Sequence, residues 1–131
     1  MRLIVTDTVT GARAMAASLQ DIAPREEAVN GIPVFACDWA STQTRVFGTD
    51  GLLSRPAGSP PTWQAHRRAA TKALAILARD TDALILSCTD PLLALQARDI
   101  VAQTKIELLR SARAGIPPFA HLTQLDDLAG E

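Results

Sequence analysis

Tyrosine is absent from this chain and aromatic residues make up only 4% of it, so there is no phenolic nucleophile and few rings to stack on a planar ligand. Cysteine occurs twice, as Cys37 and Cys88, each in an apolar, strand-like setting without C-x-x-C spacing or a neighbouring histidine pair. That pattern excludes a zinc or dithiol motif and reads as two small buried hydrophobes. Lysine is confined to Lys72 and Lys105, and the net charge is -1, so no global positive field draws the chain to nucleic acid or to an anionic membrane. No apolar run approaches the roughly 18 residues that a membrane span needs. The amino terminus opens on a strand instead of a signal peptide, which makes a cytoplasmic location the expectation.

What is present is the composition of a folded globule. Hydrophobic residues reach 47% against 21% charged, enough to build a core, and 131 residues suit one domain better than two. Residues 3–6 form a β-branched run, and Thr8 and Thr10 offer caps ahead of a helix over 12–19. Asn30-Gly31 marks a turn, after which 34–37 and 44–47 read as two strands of a hairpin. Three prolines and a glycine make 55–61 a loop. A helical period follows over 62–79, then a continuously apolar strand over 83–88 of the kind found at the centre of parallel sheets. Asp90-Pro91 opens a long helix to about Ala114, stopped by Gly115 and two prolines. A last strand is expected over 119–122 and a capping box at Thr123-x-x-Asp126. Alternating strands and helices predict one α/β domain spanning 1–131, its central sheet mainly parallel with helices on both faces.

The segment over 84–96 carries the most chemistry. A carboxylate at the carboxyl end of a parallel strand is where α/β folds place catalytic or metal-binding groups. Asp90 holds such a position, yet the following Leu92, Leu93, Ala94, Leu95 and Gln96 offer little to a hard cation. Asp90 before Pro91 also has the form of a helix N-cap, the reading favoured here. Asp7, at the end of the first strand, is either a second ligand or base, or a carboxylate that complements the dipole of the following helix.

Taken in order, these segments resemble the toprim domain of archaeal type IA DNA topoisomerases. Residues 3–19 resemble its opening, where the strand ends in a glutamate followed by lysine; Asp7 and Thr8 stand there instead. Residues 30–35 and 44–56 resemble its middle, with Gly48-Thr49 in place of Gly-His. Residues 86–96 line up with Thr-Asp-x-Asp-Arg-Glu-Gly-Glu, and 121–125 fit its closing strand. The resemblance implies a toprim-like, Rossmann-like sheet. In the family the glutamate and aspartates hold magnesium beside a DNA phosphate, while a tyrosine from another domain attacks the backbone. Here Asp7 and Asp90 match two acidic positions, Leu92 replaces the next aspartate, and no tyrosine exists. The implied protein is a degenerate, stand-alone toprim domain, an accessory or regulatory factor in DNA metabolism without strand passage. It needs no cofactor, or at most binds magnesium weakly through Asp7 and Asp90. The alternative is a small magnesium-dependent nuclease or phosphotransferase using those same two residues.

Partners follow from the same residues. Arg67, Arg68 and Lys72 make a cationic helix start, and Trp39 and Trp63 are large rings in loop-like stretches, so these five are the candidate nucleic-acid contacts. Interleaving acids make an ordinary solvated face the stronger reading of the cations, and packing the stronger reading of the rings. A protein partner or a second copy of the chain is expected to cover the leucines at 92, 93 and 95, unless the 55–61 loop does. His66 and His121 lack partners in the pattern, and no serine, cysteine or threonine sits in a nucleophile-elbow or P-loop sequence.

Overall fold

A computed structural model describes residues 1–20, 22–50, 53 and 60–114, with the side chains of the last four left aside. The elements run β1 (Arg2–Thr6), α1 (Val9–Leu19), β2 (Arg25–Val29), β3 (Ile32–Trp39), β4 (Thr42–Gly48), α2 (Pro61–Ala78), β5 (Ala83–Ser87) and α3 (Pro91–Ala114). Five strands form one sheet in the order β2-β3-β4-β1-β5. The architecture is α/β.

Side-chain alternation along β1 divides the core in two. Leu3 and Val5 point to one face, where they meet Phe47 of β4, Val34 of β3, and Ala70, Ala73, Leu74 and Leu77 of α2 with Leu93, Ala97 and Val101 of α3. Ile4 points to the other, against Val46, Phe35 and Cys37 and under Ala12 and Ala16 of α1. Helices therefore cover both faces, as the alternating pattern predicts. Phe47 has no exposed surface, so truncating it to alanine should cost about 3–5 kcal/mol. Small residues on α1 and α2 let both helices lie close to the sheet.

The sheet is mixed, where a mainly parallel one was expected. β1 runs parallel to β4 and to β5, whereas β3 runs antiparallel to both of its neighbours, β2 and β4. Two tight turns impose this. Asn30 and Gly31 have φ of 51° and 79°, and Ala40 and Ser41 have 50° and 63°, so both connections use paired left-handed residues, the arrangement whose twist matches antiparallel strands. Glycine and asparagine accept that conformation readily; Ala40 and Ser41 do so at some cost in strain. The first turn is tied down further by Asn30 Nδ2, which donates to the Ala69 carbonyl of α2 at 3.1 Å.

Two strands differ from the sequence expectation. β2 has no apolar alternation because its charges are matched sideways: Glu27 bridges Arg25 and Arg45, each at 3.0 Å, and Arg13 of α1 reaches Glu26 at 3.3 Å. Charges on such an edge strand also discourage pairing with foreign strands. β5, expected at the centre, pairs only with β1 among the described residues, and its Leu86 is 37% exposed. The strand expected over 119–122 and the capping box at 123–126 lie outside the described residues.

Candidate functional site

Because β1, β4 and β5 are parallel, their carboxyl ends share one edge of the sheet, and each is followed by an acid: Asp7, Asp50 and Asp90. All three carboxylates are occupied by backbone amides. Asp7 accepts from the Thr89 N–H at 3.1 and 3.0 Å through its two oxygens, and from the Thr89 hydroxyl at 2.9 Å. Asp50 Oδ1 accepts the Val9 N–H at 2.9 Å, at the first turn of α1. Asp90 Oδ1 accepts the Leu92 N–H at 3.0 Å, with Pro91 as first helical residue, which is the N-cap that the Asp-Pro dipeptide predicts.

Backbone contacts weld this edge together. Asp50 N–H donates to the Asp7 carbonyl at 2.8 Å, and the Thr49 hydroxyl to the same oxygen at 3.3 Å. Thr8 caps α1 by accepting the Gly11 N–H at 2.9 Å. Gly48 makes the close approach possible, since a Cβ there would lie 2.1 Å from the Thr8 carbonyl oxygen and 2.6 Å from Val9 N. Asp50 and Thr89 were not singled out from sequence, and Thr49 only as part of the Gly48-Thr49 pair. Thr89 carried a signal, as a hydroxyl residue directly ahead of Asp-Pro; the role of Asp50 needs a contact with a residue 41 positions away.

The electrostatics follow from this wiring. Hydrogen bonds from the Thr89 amide, its hydroxyl and the Asp90 amide hold the Asp7 carboxyl below its ordinary pKa, against a smaller opposing effect of desolvation. Cys88 sits beneath, its thiol donating to the Val5 carbonyl at 3.3 Å. Burial, then the negative charges of Asp7 and Asp90, push its pKa up to about 11. Asp7 thus fills the amide nest at the start of α3, the place where a doubly wound fold would receive a phosphate. Among the described residues no three histidines, cysteines, aspartates or glutamates are grouped to hold a metal. Leu92 adds no oxygen, so magnesium would have to draw on Asp7 and Asp90 at the expense of the bonds they make now.

The five candidate nucleic-acid contacts do not form one surface. Trp39 pairs with Thr42 at the end of β3 and β4 remote from Asp7, and its ring is covered by the Arg2 guanidinium at 4.8 Å, which also donates to the Trp39 carbonyl at 3.1 Å. Trp63 lies on α2, its ring edge-on to His66 at 6.3 Å. Arg68 and Lys72 are exposed one helical turn apart. Arg67 and Lys72 line clefts on α2 that Asp99 and Glu107 of α3 also line, so acids face the cations as on an ordinary solvated surface. Of the three leucines expected to be covered, Leu93 is in the core at 1% exposure, whereas Leu92 and Leu95 are 49% and 47% exposed. The helix phase explains the split: Leu93, Ala97 and Val101 face the sheet, and Leu92 and Leu95 lie to the side.

No helix among the described residues is long and apolar enough to cross a membrane. The chain matches no protein-family model, no curated protein and no solved structure.

Proposed function

We propose that this chain is a toprim-like domain that has exchanged metal chemistry for structure, and that it serves as an accessory or regulatory factor in DNA metabolism without strand passage. The observation that carries the reading is the bonding of Asp7 to Thr89. The two acidic positions that resemble toprim ligands sit at neighbouring strand ends, yet Asp7 is spent on the amides of the β5–α3 turn and Asp90 on the first turn of α3. The parallel arrangement of β1 with β4 and β5 supports the Rossmann-like half of that likeness. Exposed Leu86, Leu92 and Leu95 beside the β5 edge support a protein partner or a second copy of the chain, since such apolar groups gather where something covers them. Any nucleic-acid contact is weak and salt-sensitive, because few phosphates can be opposed at net charge -1.

A magnesium-dependent relaxation assay on supercoiled DNA, with trapping of covalent protein–DNA adducts, tests the proposal. The expected result is neither relaxed topoisomers nor adduct. Relaxation or cleavage by the pure protein, abolished by Asp7→Ala, would overturn it and favour the small magnesium enzyme built on Asp7 and Asp90.

A further inference from the structure

The two edges of the sheet are built in opposite ways. β2, at one edge, carries Arg25, Glu26 and Glu27, charges that discourage foreign strands. β5, at the other, reads Ala-Leu-Ile-Leu-Ser with neither charge nor proline, and among the described residues it pairs only with β1. An unguarded apolar edge is a template for a further strand, and a native fold tolerates one where a partner completes it. Leu86 of β5 and Leu92 and Leu95 of α3, all exposed, gather beside that edge.

The helix above the edge selects which strand fits. α3 starts at Pro91, just past the carboxyl end of β5, and runs back over it. It draws level with the start of β5 near Lys105, which, after the stronger effect of the N-terminal ammonium, helps hold the Asp82 carboxyl below its ordinary pKa. The midpoint of β5, Ile85, therefore lies beside Arg98 and Asp99. Leu93, Ala97 and Val101 face the core, and Gln96, Ile100 and Thr104 line clefts against α2. That leaves Leu95, Arg98 and Ala102, at i, i+3 and i+7, on the side turned past the edge. A two-fold axis at Ile85, with two β5 strands antiparallel, sets Leu86 opposite Leu84 of a second copy. It also lays two α3 helices antiparallel, with Leu95 against the small Ala102. At the axis it gathers Arg98 and Asp99 of both copies into a neutral cluster of two guanidiniums and two carboxylates, where a lone charge would meet its own kind.

We propose that the β5 edge and the outer side of α3 form an isologous interface with a second copy of this chain, joining two sheets into one through antiparallel β5 strands. Self-complementarity is what a two-fold interface demands of a surface. The inference rests on the partner half of the functional reading and not on the roles of Asp7 and Asp90.

The test is light scattering coupled to size exclusion, run on the full chain over a concentration series. The parent should pass from monomer to dimer as its concentration rises through the micromolar range. Leu86→Lys, which copies the charged guard of β2, should weaken the dimer roughly tenfold or more. Arg98→Asp should weaken it similarly, by setting four carboxylates together, and the double variant Arg98→Asp/Asp99→Arg should regain the parent's affinity because its cluster is again neutral. Both of those side chains are exposed, so these two variants decide the matter if Leu86→Lys does not fold. A parent that stays monomeric to millimolar concentration would overturn the proposal and leave the edge to a different partner, while the relaxation assay on Asp7 and Asp90 would be unaffected. A dimer indifferent to Leu86→Lys and Arg98→Asp, or a double variant no tighter than Arg98→Asp alone, would overturn it as well.

Discussion

The Asp7 carboxylate and Thr89 are joined by the Thr89 backbone amide at 3.0 Å and by its hydroxyl at 2.9 Å, across 82 residues of sequence. That link ties the end of β1 to the turn that launches α3. It also makes stability depend on pH in a defined direction. The Asp7 pKa is lower in the folded chain than its ordinary value, chiefly through the Thr89 amide. A depressed carboxyl contributes stability that is present above its unfolded pKa and is lost as pH falls through the folded one. Lowering the pH from about 5 toward 2 should therefore cost the parent more melting temperature than it costs Asp7→Ala, which should already melt a few degrees lower at neutral pH. Thermal melts of both proteins across that window check it. Parallel pH profiles would mean that Asp7 titrates alike folded and unfolded.

Gly48→Ala should be far more damaging than its single methyl suggests. The added carbon would meet the Thr8 carbonyl oxygen at 2.1 Å, and neither partner is a flexible side chain that could swing away. The expected loss is about 3 kcal/mol, at the upper end of overpacking costs, or more. Chemical denaturation measures it. A loss under 1 kcal/mol would show that β4 and the β1–α1 turn can separate without penalty.

Neither thiol should react readily in the native state. Burial raises the Cys37 pKa, and Cys88 is pushed up to about 11, so at pH 8 only about one Cys88 in a thousand is thiolate. A chromogenic disulfide reagent should modify both groups slowly in native protein and fast in denaturant. Rapid native labelling of one thiol would reveal an opening of the fold at Cys88 or Cys37.

How much of this could be read in advance depends on the range of the interactions. α1, α2, α3 and β1 announced themselves because a helical period and a β-branched run are local patterns. The Asp-Pro cap was legible for the same reason, its bond spanning two residues. β2 was not, because Glu26 and Glu27 belong in a strand only once Arg13, Arg25 and Arg45 stand beside them. The hairpin of β3 and β4 was legible, but the balance of the sheet was missed with β2, since its antiparallel pairing to β3 adds a second such pair that the sequence reading lacked. At the acidic edge Asp7 and Asp90 were foreseen and Asp50 was not; that Asp7 spends its oxygens on Thr89 follows from strand order, which no local pattern contains.

The variants Asp90→Asn and Asp90→Ala separate a structural carboxylate from a metal ligand. Asparagine accepts the Leu92 amide about as well as aspartate does, whereas alanine removes the acceptor, and loss of a cap costs on the order of 1 kcal/mol. Asparagine is, however, neutral and a poor ligand for a hard divalent cation. With Asp90 serving α3 alone, Asp90→Asn should melt within a few degrees of the parent, Asp90→Ala should melt clearly lower, and added magnesium should shift all three equally little. The magnesium arm discriminates because binding to the folded state alone raises stability in proportion to the logarithm of ligand concentration over Kd. A parent stabilised by several degrees, beside an asparagine variant left unmoved, would mean that magnesium can draw Asp90 away from the Leu92 amide. The acidic edge would then be a working metal site, and Asp7 its second ligand.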